Sequence, residues 1–407
     1  LATRDGAIPA RTGDAPCVMI HAVSVGEINA TRALVAGLRE RVGGLHLLIT
    51  TTTKTGLARA DELFGRDDDV TVARFPLDYS QAVHRMLNAA RPDVIVLMEL
   101  EVWPGMMCAA KARKIPVLIG NGRITARSAR AYAWLGPIGR NMFSRVDECL
   151  AQDATHAARF KALGVPSDRI RIAGTMKFDS APMIRSGDDI RQLGSPLRES
   201  LGLSNPLIVA GSTGPGEEAL LLDLYATLRH RIRGLRLMLV PRKPERFDEV
   251  AILITQRGFA CVRRSERRAA REDEVILLDT MGELRQAYAC ADAVVVGRTL
   301  VDLGAKQHGS DMIEPAALGV PTVVGRFTGN FEEPMRALVD GRGIRTVNHA
   351  QELLDVMLEW FDADGKLRPD AVKLGERGRE VVARHRGATR RHIEAIVPRL
   401  FSEEVSG

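Results

Sequence analysis

The sequence predicts two α/β domains of the Rossmann type, each a parallel sheet with helices on both faces, facing one another across a cleft. Three observations lead there. Short apolar, partly β-branched runs alternate with runs of helical period through residues 1–180. The alternation lapses between Phe178 and Asn205, where Ser, Gly, Asp and Pro dominate, and then resumes as a second set. A chain of 407 residues, 45% hydrophobic and 27% charged, carries material for two cores.

In the first domain, 1–180, strands are expected at 17–23, 45–50, 70–75, 94–98, 117–120, 148–151 and 170–173. Helical runs such as 28–41, 80–90 and 155–163 lie between them, the βαβ order of a parallel sheet. Residues 181–205 are expected to connect the domains. The second domain, 206–385, has strand runs at 207–210, 235–240, 259–262, 275–278, 293–296, 322–324 and 344–347. The arginine-rich stretch 263–271 reads as a solvated loop. Helical runs at 351–361 and 371–400 close the chain, and the last part, 386–407, is expected to pack back on the first domain.

Ligands of open α/β sheets bind at the carboxyl ends of strands, so the turns there deserve the closest reading. Ser24-Val25-Gly26-Glu27 follows the first strand. Glu27 is either a general base or a favourable acid in a first helical turn. Thr50 to Gly56 offers hydroxyls, amides and Lys54 to an anion, without Walker A spacing. Glu99 and Glu101 follow the fourth strand, and two carboxylates two residues apart share a side if the segment is extended. Arg123 and Lys177 sit in the turns 120–123 and 174–179. Acids and cations at successive strand ends suit transfer chemistry on an anionic substrate. In the second half, Gly211 to Glu217, Pro241-Arg242 onward, Thr280 to Leu284 and Ser310 to Pro315 compose a nucleotide site. Its parts are arginine for phosphate, strand-end amides, and an acid for ribose hydroxyls.

Composition excludes several classes. Aromatics are 4%, against a stacking platform for bases or sugars. Five scattered cysteines and nine unclustered histidines give no metal-ligand spacing, so neither metal nor cofactor is expected. No run is long and apolar enough to span a bilayer. Residues 1–180 hold 24 Lys and Arg against 18 Asp and Glu, while the remainder holds 33 of each. The whole net charge of +6 therefore lies in the first half, which fits an anionic partner such as a membrane surface or phosphorylated lipid.

Taken in order, HAVSVGE (21–27), TTTKTG (51–56), MELEVWP (98–104), NGRIT (121–125), GTMKFD (174–179), GSTGPGEE (211–218), PRKPERF (241–247), DTMGEL (279–284) and IEPAALGVP (313–321) resemble the 3-deoxy-D-manno-octulosonic acid (Kdo) transferases of lipopolysaccharide assembly, over nearly the whole chain. The resemblance implies the GT-B fold. It also implies transfer of Kdo from CMP-Kdo to a lipid A precursor, with inversion and without a metal. The enzyme would work at the cytoplasmic face of the inner membrane, its first domain taking the lipid. An amino-terminal anchor is usual in that family before the HAVSVGE-like strand, and the roughly 16 residues that precede it here are consistent with truncation. By motif, Glu27 would be the general base, with Glu99 and Lys177 supporting the transition state. Pro241, Arg242, Met281, Gly282 and Glu283 would bind CMP, together with Asp311, Met312, Ile313 and Glu314. Lys54 and Arg123 are acceptor-side anion candidates.

The resemblance departs from pattern at one place. The family tends to carry Gly-Gly-Ser and then Gly-Gly-His-Asn-Pro-Leu-Glu-Pro. This chain has Gly297-Arg298-Thr299 and then His308-Gly309-Ser310-Asp311-Met312-Ile313-Glu314-Pro315. The alternatives are a related GT-B enzyme using another CMP-sugar or acceptor, or a paralogue that binds CMP or lipid without turnover. A GT-B epimerase is more distant and would prefer a UDP-sugar.

Overall fold

A computed structural model describes residues 4–181, 187–304 and 309–401. The chain forms two compact units, residues 1–180 with 385–407, and residues 181–384. The first runs β1 (Cys17–His21), α1 (Val25–Arg41), β2 (His46–Thr51), α2 (Lys54–Phe64), β3 (Val70–Arg74), α3 (Ser80–Ala90), β4 (Val94–Met98), α4 (Pro104–Ala112), β5 (Val117–Gly122), α5 (Ala126–Ala133), α6 (Gly136–Phe143), β6 (Glu148–Ala151), α7 (Ala154–Leu163) and β7 (Ile170–Ile172). The second runs α8 (Gly187–Ser200), β8 (Leu207–Thr213), α9 (Glu217–Leu228), β9 (Arg236–Pro241), α10 (Phe247–Gln256), β10 (Ala260–Arg263), β11 (Glu274–Leu277), α11 (Leu284–Ala289), β12 (Ala293–Val296), α12 (Ile313–Ala317), β13 (Thr322–Val324), α13 (Glu332–Asp340), β14 (Arg345–Thr346), α14 (Ala350–Trp360) and α15 (Pro369–His385). α16 (Ala388–Ile396) returns to the first unit.

Each unit is built on a seven-stranded sheet, in the order β3-β2-β1-β4-β5-β6-β7 and β10-β11-β9-β8-β12-β13-β14, with every described pairing between named strands parallel. The first order reverses between β1 and β4, and the second between β8 and β12, with β11 inserted between β10 and β9. Loops leaving those strands diverge there and open a crevice at the carboxyl ends. The central strands β1, β4 and β8 are buried along their whole length, as Val-, Ile- and Leu-rich strands covered on both faces must be. The edge strands are more polar. Both residues of β14 are exposed, and two of the three in β7.

All fourteen expected strand runs are strands, but three other expectations need correcting. The connecting segment contains α8, which packs on α11 inside the second unit. Its Gly194 approaches the backbone of Ala289 so closely that a Cβ would lie 2.7 Å away. The Ser, Gly and Pro content hid that helix. The arginine-rich stretch 263–271 is not merely solvated. Arg263 pairs with Asp279 at 2.7 Å, Arg264 with Glu283 at 3.0 Å, and Arg268 with buried Glu274 at 2.7 Å. The terminal run 371–400 is two helices rather than one. Gly387, at φ +92°, lets the chain turn in the left-handed region, and α16 starts afresh against α1.

Asp179 caps that new start, accepting from the amides of Gly387 (2.7 Å) and Thr389 (2.6 Å). His392 on α16 is fully buried. Its Nε2 accepts the Asn121 amide at 2.7 Å, so Nδ1 carries the proton toward the Ala388 carbonyl, also at 2.7 Å. Burial lowers its pKa to about 4, and that of buried His21 to about 3. Both rings are neutral in the fold, whereas an unfolded histidine titrates near 6.5. Below about 6.5 the unfolded chain holds the extra protons, so stability falls with pH until the folded values near 4 and 3 are passed. Melting temperature is expected to drop by several degrees from about pH 7 to about pH 5, and His392→Gln to flatten that fall. A wild-type melting curve indifferent to pH over this range contradicts the assignment.

Candidate active site

In the first unit the reversal point lies between β1 and β4, and the sequence-predicted acids follow those two strands. Ser24 caps α1, and Glu27 stands three residues in, at the place of a capping box. The Glu27 amide donates to Ser24 Oγ at 3.3 Å. Its carboxylate accepts from the amides of Val23 (2.9 Å) and Ser24 (3.3 Å). The helix-cap role is therefore real, and it holds the carboxylate in place. Each oxygen accepts one bond and keeps a second lone pair for another proton.

The turn before it is held by the next strand. Thr51 Oγ1 and Thr53 Oγ1 donate to the Val23 carbonyl at 3.1 and 2.7 Å, and Thr53 also caps α2 through Gly56. These hydroxyls are committed to holding the β1 turn and not to an anion. Lys54 remains, exposed on the first turn of α2 and without an ion-pair partner among the described residues.

Glu99 and Glu101 do not follow extended geometry. Glu99 sits at φ +58°, in the left-handed region that non-glycine residues rarely enter. Its amide donates to the Gly120 carbonyl at 2.9 Å and its own carbonyl accepts the Arg123 amide at 3.2 Å, so the β4 and β5 turns are laced together. Burial holds Glu99 above the usual carboxylate range. The charge of Glu27 pushes the same way, and those of Arg123 and Lys177 oppose it. The charges of Glu27, Arg123, Lys177 and Glu101 thus all act on Glu99 at one end of one sheet. Glu101, which also feels the charge of Glu27, has further neighbours. It accepts Trp103 Nε1 at 2.9 Å and stands 3.9 Å from His21 Nε2, an atom buried without a hydrogen bond. Burial raises its pKa too.

Asn121 of the 120–123 turn, with Gln152 and His392 that no strand-end motif singled out, positions these groups. Asn121, at φ +51°, accepts the Met176 amide on Oδ1 (3.1 Å) and Gln152 Nε2 on its carbonyl (3.1 Å), while His392 takes its amide. The turn carrying Arg123 is thereby tied to the turn carrying Lys177 and to α16. An asparagine beside glycine after a strand is a left-handed-turn signal. Nothing local announced His392, 271 residues away.

In the second unit the reversal point lies between β8 and β12. Glu217, with no exposed surface, accepts four backbone amides: Gly214 (2.9 Å) and Arg298 (2.6 Å) on Oε2, Thr299 (2.9 Å) and Leu300 (2.8 Å) on Oε1. The neighbouring Glu218 takes Thr213 Oγ1 and both terminal nitrogens of Arg246, at 2.6, 2.6 and 3.1 Å. The Gly-Glu-Glu stretch therefore builds the loops from within, and Arg246 of the Pro-Arg-Lys-Pro-Glu-Arg motif belongs to that internal pair.

Pro241 ends β9, and the Arg242 amide bonds to the Thr213 carbonyl at 3.0 Å while its side chain is exposed. Met281 is 70% exposed and Gly282 lies at φ +89°. Glu283 is tied to Arg264 and Thr280. Asp311 Oδ1 accepts the Ile313 amide at 2.8 Å, and Glu314 pairs with Arg285 at 2.7 Å. Met312 and Ile313 are fully buried, so within 311–314 only Asp311 and Glu314 offer accessible side chains. His308 lies outside the described residues.

Comparison with known proteins identifies the family. A family model described as 3-deoxy-D-manno-octulosonic-acid transferase matches residues 1–180. The 3-deoxy-D-manno-octulosonic acid transferase of Haemophilus influenzae is 34% identical over 394 residues, spanning 95% of this chain and 89% of that protein. The chain belongs to the Kdo transferase family. The Bordetella pertussis transferase is also 34% identical, over 93% of this chain and 86% of its own.

Among solved structures, HepE of Anabaena in complex with UDP superposes with a TM-score of 0.57 at 15% identity, covering 94% of this chain and 99% of that one. The UDP-GlcNAc 2-epimerase of Neisseria meningitidis gives 0.56 at 14%, over 94% and 100%. At such identities these likenesses speak for the fold alone, which is GT-B. As a Kdo transferase the chain is a glycosyltransferase of lipopolysaccharide synthesis. Of the residues matched by motif, Glu27, Glu99, Lys177 and Arg123 are brought together in one unit. Arg242, Arg298, Asp311 and Glu314 lie at strand ends of the other. Lys54 stands apart from the first group, and Met312 and Ile313 are core.

Proposed function

We propose that this Kdo transferase takes CMP-Kdo as donor and a lipid A precursor as acceptor, and that it inverts the anomeric centre in a single displacement. Glu27 receives the proton of the acceptor hydroxyl as its oxygen bonds to the anomeric carbon. The bond from that carbon to the phosphate oxygen breaks, and its electron pair leaves with CMP. Lys177 and Arg242 meet the departing charge, and no metal or cofactor enters the proposal. The observation that carries it is that Glu27, Arg123 and Lys177 all lie near enough for their charges to act on Glu99, with Glu27 and Glu99 following the two strands of the β1/β4 reversal. A held carboxylate with a free lone pair supplies the base, beside a second, half-buried carboxylate that burial holds above the usual range. CMP release on mixing the protein with CMP-Kdo and a lipid A precursor tests the reading, with other CMP-linked ulosonic acids as competitors. Release with the precursor omitted, or only with a competitor donor, overturns it.

The acceptor is a lipid, and we place the contact with an anionic membrane on the elbow between α5 and α6. No residue of α5 is buried, and the elbow exposes Trp134 (93%), Leu135 (45%) and Ile138 (66%), beside exposed Arg127, Arg130 and Arg140. Between Glu101 and Asp147 the chain has eight Lys and Arg and no acid. Its inner side is fixed by buried Met142 and Phe143, with Tyr132 edge-on to Phe143 at 5.2 Å. Apolar tips ringed by arginine suit the boundary between acyl chains and anionic headgroups. No described helix is long and apolar enough to cross a bilayer. Sedimentation with anionic vesicles is expected to carry the protein down, less so in high salt, and a Trp134→Ser, Ile138→Ser double variant to lose several-fold of that binding. Equal binding by the variant removes the elbow from the proposal.

A further inference from the structure

Arg298 has a glycine-like backbone conformation, φ +60°. Four contacts impose it. Its amide is bonded to Glu217, its carbonyl accepts the Gly309 amide at 2.7 Å, and the residues on either side are packed tightly. Gly297 faces β8 so closely that a Cβ would lie 2.5 Å from Thr213 Cα, and the Thr299 side chain is buried. A non-glycine residue held there is strained, and strain of this kind marks a place where the side chain is wanted.

The Arg298 stem lies over Gly214, with its Cγ 3.2 Å from where a Cβ of that glycine would be. Arg242 hangs from the same loop through its amide bond to Thr213. The two guanidinium groups feel each other. Burial, and then the charge of Arg242, hold Arg298 below the usual arginine range. Neither makes a hydrogen bond or ion pair with a carboxylate side chain among the described residues. By contrast Arg246, Arg263, Arg264, Arg268 and Arg285 of the same unit are all paired. The charge of Glu217 works in favour of the Arg298 cation, but its oxygens are taken by backbone amides, and an anion between the two guanidinium groups relieves the repulsion that remains. They stand at the β8/β12 reversal, the place where an open sheet binds its ligand.

We propose that Arg298 and Arg242 form a two-arginine clamp on the phosphate of the donor nucleotide, matched to the charge of the leaving group. This rests on the CMP-sugar reading above. The donor phosphate is a diester with one negative charge. When the bond from the sugar carbon to the phosphate oxygen breaks, the electron pair stays on that oxygen. The phosphate then becomes a dianion above its second pKa of about 6. A pair of guanidiniums binds the dianion better than the monoanion, so the clamp strengthens as the reaction proceeds.

The variant of choice is Arg298→Gly, because glycine accepts φ +60° without strain and the fold should not suffer. Calorimetry with CMP and with cytidine, together with thermal melting, gives the test. Arg298→Gly is expected to melt at or above the wild-type temperature and to bind CMP about 10- to 100-fold more weakly, with cytidine binding unchanged. Wild-type affinity for CMP should weaken below about pH 6 as the phosphate gains a proton, and the variant should show a flatter profile. Arg298→Lys should recover part of the loss. If the variant binds CMP as the wild type does, the clamp is refuted while the CMP reading stands. If the wild type binds CMP no better than cytidine, the phosphate is not held and the clamp fails. If the wild type binds neither, the CMP reading fails with it.

Discussion

Replacing Glu27 by glutamine is expected to slow Kdo transfer by about 100-fold or more and to leave the fold intact. Removal of a general base typically costs two to four orders of magnitude in rate. Glutamine keeps one oxygen to accept from the Val23 or Ser24 amide, and it serves in capping boxes as glutamate does. The two roles of Glu27 are thereby separated, since the cap tolerates the change and the proton transfer does not. Steady-state release of CMP reports the rate, thermal melting reports the cap, and CMP affinity should be unaltered. Undiminished turnover in a folded Glu27→Gln protein eliminates Glu27 as base, whatever the donor. A parallel loss of melting temperature of many degrees assigns Glu27 to stability instead.

The largest effect on stability is expected at Glu217. Its carboxylate has no exposed surface and satisfies four amides. Glu217→Ala leaves those donors buried with no acceptor, at about 1–3 kcal/mol for each one that water does not reach. A loss of about 3 kcal/mol or more is expected, seen as a lower urea midpoint. Glu217→Gln should fall between, because it keeps one oxygen and turns an NH2 group toward other donors. The Arg298 loop hangs from this carboxylate, so CMP binding should weaken along with stability. A Glu217→Ala protein with the wild-type midpoint would falsify the account of these loops.

How far the sequence reached can be judged from particular residues. Strands buried on both faces, such as 94–98, are unbroken apolar runs, and that alone located them. Glu27, Glu99, Arg123 and Lys177 were conspicuous because charged residues directly after such runs have no core to enter. The connecting segment hid α8, whose Gly and Pro residues suit a turn as readily as a helix. At Gly387 the apolar period runs on through the break, so only the capping by Asp179 from 208 residues away decides where α16 begins. From the sequence Glu217 reads as the end of a strand-end turn, 211–217, in a nucleotide site. Its partners at 298–300 are adjacent only because β8 and β12 pair.

The sequence by itself determined the alternation of elements, the parallel α/β class, the strand-end positions of the reactive groups and the family. All of these follow from local patterns of side-chain chemistry along the chain. Only the tertiary structure decided the strand orders, which bring the ends of β1 and β4, and of β8 and β12, side by side. It also decided that Glu27 is a cap, that Glu99 sits at φ +58°, and that the Arg298 side chain, without a carboxylate partner among the described residues, feels the charge of Arg242. The physical reason is that burial, backbone strain and the field of neighbouring charges depend on which segments pack together, and residues distant in the chain set them.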